Sequence, residues 1–254
     1  MVQGVAEVVP VSSSAQLVLV PWLLGWDPPD DRTGFAAGLH AGSCLGIAAV
    51  LRPWSAGPRT LALVAASSVP AAFAGFLAAD RVEQRLGRPP QLAALLAGAG
   101  VALLAADRSP QTRTQVGPRE AGVAALAQVA ALVPGVSRSG AVLTALRLLG
   151  VERAAAQRFS LLMSLPVAAG AAGLTFAQSR SLPPGWVPGA LAAAVAGAVT
   201  ARLVPPGRSA AVPTTYRLGL AAAVAVRLHR QRRTRDRLPW ACPSPTGSWP
   251  ARSQ

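Results

Sequence analysis

The sequence predicts an all-α, polytopic integral membrane protein, with six transmembrane helices and two re-entrant helix-loop motifs arranged as an inverted-topology repeat. Three observations carry this. Of the 254 residues, 52% are hydrophobic and only 13% charged, a balance outside that of ordinary soluble domains. Uncharged runs cover residues 33–51, 60–79, 89–106, 159–179 and 181–201, each long enough to cross a bilayer core of about 30 Å as a helix. A sixth run, 209–226, is interrupted only by Arg217. A soluble protein with buried helices would need more polar surface than these runs leave. Finally, two similar phrases, VPVSSSAQL (9–17) and VPGVSRSGAVL (133–143), each precede three of the six runs.

The phrases agree beyond their serines. Gln3-Gly-Val-Ala-Glu-Val-Val-Pro faces Gln128-Val-Ala-Ala-Leu-Val-Pro, and Leu-Leu-Gly closes both units, at Gly25 and Gly150. One extra residue at Gly135 keeps the serines in step. Residues 8–16 and 132–140 gather Pro, Gly and Ser, poor in a helix interior but suited to a break and a fresh N-cap. We read them as re-entrant loops. An odd number of crossings between the copies turns the second upside down, and such repeats place their interrupted helices near the bilayer midplane. Irregular backbone at that depth must be buried in protein or line a wet cavity. The expected organisation is a membrane domain over 1–226, with repeat one at 1–106 and repeat two at 121–226. Residues 227–254 follow as a basic tail with seven arginines, expected to be disordered.

The net charge is +14 and every basic residue is arginine. These arginines sit in short loops between apolar runs, which fits phospholipid head groups and not nucleic acid. Six crossings put twelve arginines on one side and ten on the other, so the positive-inside rule selects neither orientation. Cys44 and Cys242 suggest no disulfide framework or metal pair. The start, MVQGVAEVV, lacks the basic region of a cleavable signal peptide.

Glu7 is the sole charge among residues 1–26, and Arg138 the sole charge among 121–146. A lone ionisable group in an apolar stretch is functional by default, with a partner expected nearby; the alternative is an ion pair that only holds the repeats together. Ser137, Arg138, Ser139 and Gly140, with backbone amides left free after the Pro-Gly break, make a cradle for an anion. The same triplet also suits the cap of a structural helix. Ser12, Ser13 and Ser14 supply hydroxyls from the other copy, and Glu7 can ligate a divalent cation or accept a proton. These parts suit phosphate chemistry on a lipid.

At these residues the chain resembles the undecaprenyl-diphosphate phosphatases of the bacitracin-resistance type. Their first motif, QGxxEFLPxSSSGHL, is similar to QGVAEVVPVSSSAQL (3–17), and their second, PGxSRSGAT, to PGVSRSGAV (134–142). The likeness continues through FAAGLHAGS (35–43), SSVPAAFAGFLAADRVE (67–83), RFSLLMSLPVAAGA (158–171) and TYRLGL (215–220). The resemblance implies an enzyme of the bacterial cell membrane that converts undecaprenyl diphosphate to undecaprenyl phosphate and inorganic phosphate, recycling the lipid carrier of cell-wall synthesis. It implies a divalent cation, Mg2+ or Ca2+, and a site open to the extracytoplasmic face. Carried over, Glu7, Ser13 and Arg138 are the catalytic residues; Ser12, Ser14, Gln16, Ser137, Ser139 and Gly140 bind substrate; Glu7 and Gln3 hold the metal. The partners implied are a polyprenyl diphosphate and membrane lipids, with a homodimer left open.

Three positions depart from the motifs. Gln16 stands for the motif His and cannot shuttle a proton near neutral pH, a loss expected to cost about 10²- to 10⁴-fold in rate. Ala15 stands for a Gly, and Val142 for a Thr. Only Met1 and Val2 precede Gln3 where relatives carry an apolar lead-in, so either the start lies upstream or the first half-helix is short. The substituted His motivates an alternative, a non-catalytic polyprenyl-phosphate carrier or scramblase. His40, in GLHAG, is expected to serve mainly in helix packing.

Overall fold

The computed structural model describes residues 1–27, 32–178 and 185–237. Among them are ten α-helices: α1 (Val2–Val8), α2 (Ser13–Leu24), α3 (Arg32–Leu51), α4 (Pro58–Leu86), α5 (Pro89–Asp107), α6 (Pro118–Ala130), α7 (Arg138–Leu148), α8 (Arg153–Gln178), α9 (Trp186–Leu203) and α10 (Ala211–Arg237). The described residues contain no strand, only one bridge pair, Arg113 with Val151. Proline at the first helical position opens α4, α5 and α6, where its missing N–H costs nothing.

Four segments are long and apolar enough to span a membrane: Gly34–Ser55, Pro58–Ala79, Pro89–Asp107 and Trp186–Leu203. Helices α8 and α10, 26 and 27 residues long, accompany the remaining two apolar runs. Leu45, Phe73, Phe76 and Leu191 point outward, an apolar exterior suited to lipid rather than water. Helices α1, α2, α6 and α7 have 7, 12, 13 and 11 residues, too short to cross alone. They form two broken pairs, α1–α2 and α6–α7, at the two serine phrases.

The described residues thus form two runs of five helices, short-short-long-long-long. Packing follows the same exchange: α1 packs on α9 as α6 does on α4, α3 on α9 as α8 on α4, and α2 on α5 and α10 while α7 lies on α5. The two central pairs, α3 with α8 and α5 with α10, join the halves. Local geometry repeats too. Gly25 and Gly150, the two Leu-Leu-Gly ends, both have positive φ, 72° and 79°, a conformation for which glycine carries no steric penalty.

Without a hydrophobic drive between helices in lipid, close packing needs small residues. Gly38, Gly42 and Gly46 fall every fourth residue on α3. A Cβ at Gly42 would collide with the Ala190 carbonyl oxygen of α9, and one at Gly46 with that of Ala194. Gly4 presses α1 onto the same helix at the Ala193 carbonyl. These contacts seat α1, and the carboxylate on it, against α3 and α9.

A polar clamp holds the other half. Asp107 accepts from Arg153 Nε at 2.6 Å, Ser209 Oγ at 3.2 Å and the Ala210 amide at 3.1 Å. Buried Arg147 donates to the carbonyls of Asp107, Ser109 and Val151. The ends of α5 and α7 and the starts of α8 and α10 are tied at one level.

The first residues of the expected tail are helical. Residues 227–237 continue α10, because Arg227 donates to the Leu23 carbonyl and lies 4.8 Å over the Trp22 ring, a contact that keeps a basic turn helical. Residues 238–254, like 179–184 at the junction of two apolar runs, lie outside the described residues.

Gly46→Val is expected to force α3 from α9 and to lower thermal stability in detergent by about 1–3 kcal/mol. Gly98→Ala, whose added Cβ meets nothing within 4 Å, should preserve stability or raise it.

Candidate functional site

The site is assembled where the two broken pairs meet. Val9 leaves α1 in extended conformation, and Ser12 enters α2 with φ 67° and ψ 91°. Ser137 enters α7 with φ 74° and ψ 117°. For a residue with a Cβ such positive φ costs on the order of 1–3 kcal/mol, and the strain falls at equivalent points of the two copies. At each, hydroxyls two residues apart pair at 3.3 Å, Ser12 with Ser14 and Ser137 with Ser139. Ser137 Oγ also caps α7, accepting from the Gly140 amide at 3.2 Å.

The next residue of each copy opens a helix: Ser13 for α2, Arg138 for α7. Both reach Glu7. Ser13 Oγ donates to Glu7 Oε1 at 3.1 Å, and Arg138 Nη2 to Glu7 Oε2 at 2.5 Å. Gln3 Nε2, one turn earlier on α1, donates to Oε1 at 2.8 Å, and His40 Nδ1 of α3 lies 2.9 Å from the same oxygen. Gln3 Nε2 is also 2.9 Å from His40 Nδ1. The carboxylate is only 5% exposed and is held by groups from four helices. Arg138 Nη1 and Gln3 Oε1 remain buried without partners.

These groups border a cavity of about 180 Å³. Glu7 and Ser12–Ser14 line it from the first copy, Ser137–Ser139 from the second, and His40 from α3. Val167, Ala168 and Ala171 of α8 make an apolar wall. Three of the sequence-derived candidates stand elsewhere. Gln3 lies behind Glu7, 1% exposed. Gly140 is on the inner face of α7. Gln16 is turned under the first loop, donating to the Val11 carbonyl at 3.0 Å and accepting from Tyr216 at 2.8 Å.

The other departures are accommodated. Position 15 is an ordinary helical residue, since positive φ falls on Ser12. Val142 packs in a core with Val64, Ala121 and Leu146, so a hydroxyl there would not face the cavity.

Among the described residues no three His, Cys, Asp or Glu side chains cluster as a metal site. The donors at the cavity are a carboxylate and five serine hydroxyls, with the unpartnered amide oxygen of Gln3 behind the carboxylate. That set suits a hard cation whose shell is completed by phosphate oxygens, as Mg2+ commonly is.

A family model described as bacitracin resistance protein BacA matches residues 1–205. The chain belongs to this family. Similar to it is an undecaprenyl-diphosphatase of Pelobacter propionicus, 42% identical over 192 residues, or 67% of this chain and 70% of that protein. Another, of Geobacter sulfurreducens, is 37% identical over 226 residues, 80% and 83% of the two chains. A third, of Moorella thermoacetica, is 35% identical over 215 residues, 78% and 82%.

In this BacA-family chain, sequence reasoning undervalued His40. The uncharged run 33–51 placed it on an apolar helix, yet it touches the carboxylate and lines the cavity. Its signal was that it is an ionisable residue inside a membrane-length run, the same signal that singled out Glu7.

Because Gln16 joins α10 to the first loop, Gln16→Ala is expected to lower stability by about 1–3 kcal/mol, with Tyr216→Phe shifting it in the same direction by less. Thermal unfolding in detergent reads both.

Proposed function

We propose that this chain hydrolyses undecaprenyl diphosphate to undecaprenyl phosphate and inorganic phosphate, recycling the lipid carrier of cell-wall synthesis in the bacterial cell membrane. One observation carries the reading. A buried carboxylate holds a serine hydroxyl at 3.1 Å and an arginine at 2.5 Å, contributed by opposite halves of a membrane domain, at the edge of one cavity. The relatives' names supply the lipid, and the apolar α8 wall suits its chain. The resemblance of the motifs supports opening to the extracytoplasmic face.

Ser13 is the nucleophile. Its Oγ bonds to the terminal phosphorus while its proton passes to Glu7 Oε1. The bond from that phosphorus to the bridging oxygen breaks, and undecaprenyl phosphate leaves with the electron pair. Water then attacks the phosphate on Ser13, its oxygen bonding to phosphorus as the Oγ–phosphorus bond breaks and one of its protons restoring the hydroxyl; inorganic phosphate leaves, and Glu7 gives up its proton to solvent with the products. Arg138, with Nη1 unengaged, binds non-bridging oxygens and offsets charge as it develops. Amides at the start of α7 and the hydroxyls of Ser137 and Ser139 share that task. Gln3 and His40 fix the carboxylate's orientation. Glu7 and the serine hydroxyls of the cavity would hold a divalent cation, Mg2+ or Ca2+, beside the phosphate, and it would supply Lewis-acid charge neutralisation when bound; Gln3, behind Glu7, would act on it through the carboxylate.

The carrier alternative finds no support in the relatives, which are named as diphosphatases. Gln16 lies off the cavity, which supports turnover with a glutamine in place of the histidine.

The test is phosphate release from a polyprenyl diphosphate by purified protein, with and without divalent cation. Release should require the cation and fall by about 10²-fold or more in Glu7→Gln, Ser13→Ala and Arg138→Ala. Gln16→His should change it only a few-fold. An inert natural chain beside an active Gln16→His variant would overturn the reading.

A further inference from the structure

Arg217 is the least expected side chain in the molecule. It sits on α10, inside an apolar run, and is 0% exposed. Its Nε, Nη1 and Nη2 are all without a hydrogen-bond partner. Among the described residues the ion pairs engage Glu7, Asp107 and Glu120 with other cations, and none reaches Arg217. An unpaired guanidinium in low dielectric is costly, so its retention calls for a counter-charge from elsewhere.

Two helices are built to admit it. A Cβ on Gly100 of α5 would lie 3.1 Å from Arg217 Cδ, and one on Gly140 of α7 would lie 2.5 Å from Nη2. The same Gly140 Cβ would lie 3.3 Å from Ser137 Oγ. Guanidinium and Ser137 hydroxyl therefore both lie on the Cβ side of Gly140, in the first turn of α7. One turn back on α10, Thr214 donates to the Gly100 carbonyl at 3.0 Å and fixes the register.

The charge thus lies against the first turn of α7, the turn that also brings Ser137, Arg138 and Ser139 to the cavity. A cation at a helix N-terminus opposes the helix dipole. With nothing bound, Arg217 is doubly unfavourable: unpaired and at the wrong helix end. An anion in the cavity relieves both terms, because across one helical turn of low-dielectric protein the attraction is little screened.

We propose that Arg217 is a positioning residue that acts through the first turn of α7, raising the cavity's affinity for the diphosphate group without touching it. Stability of the empty protein is given up for affinity. The inference rests on the anion-binding reading of the same site and adds a residue that contacts neither Glu7 nor the cavity.

The experiment follows thermal unfolding of the full chain in detergent with Mg2+, titrated with methylenediphosphonate, a non-hydrolysable diphosphate. It compares the natural chain with Arg217→Met, Arg217→Lys and Arg138→Ala. Arg217→Met should unfold no earlier than the natural chain when empty, yet bind the diphosphonate about tenfold more weakly. Arg217→Lys, which keeps the charge, should recover most of that affinity. Unchanged affinity in Arg217→Met would overturn the proposal, and so would failure of that variant to fold, which would make the arginine a packing strut. A natural chain that shows no shift, indistinguishable from Arg138→Ala, would instead remove the anion-binding reading itself.

Discussion

Glu7 and Arg138 meet at 2.5 Å although 131 residues separate them in the chain. Each alone would be an uncompensated charge at membrane depth, and each is supplied by a helix broken so that it can reach the other. Such a pair adds little net stability, since desolvation offsets most of its attraction. What it does is dictate an arrangement: both loops must turn inward, and the long helices must leave a polar space between them. The glycine contacts of α3 with α9 and the Asp107 clamp follow from that requirement, because they set the depth and spacing of the two breaks.

The frame is symmetric and the chemistry on it is not. Both copies strain a serine at positive φ, pair two hydroxyls at 3.3 Å and open a helix with the residue between. In one copy that residue is a hydroxyl, in the other a guanidinium, and both point to one carboxylate. The first copy supplies Glu7; the second has no carboxylate between Gln128 and its break. The equivalent of Gln3 is Gln128, buried with neither amide atom partnered. A duplicated scaffold thus presents a hydroxyl and a carboxylate from one side and a guanidinium with two hydroxyls from the other, the arrangement on which the proposed hydrolysis rests.

Much of this was legible in the sequence because the bilayer restricts what a chain can do. Spanning segments must be long and apolar, backbone groups must be satisfied, and charges are rare enough for each to be informative. The apolar runs revealed the crossings, the duplicated phrase the breaks, and two lone charges the partners Glu7 and Arg138. Where the rule was applied less strictly, to His40 and Arg217, the reading fell short, and both proved to lie at or beside the site.

By itself the sequence determined the helical class, the family and a repeat in which a broken phrase precedes three apolar runs, since these rest on composition, run length and local motifs. Only the tertiary structure decided which atoms meet. It turned Gln16 away from the cavity and toward Tyr216, brought His40 to the carboxylate, placed Val142 in a core, and carried helix α10 through the arginines at its end. The reason is geometric. A motif fixes the order of residues along one helix, while the face each presents depends on neighbours from helices a hundred or more residues away, packed at distances that a single methyl group would change.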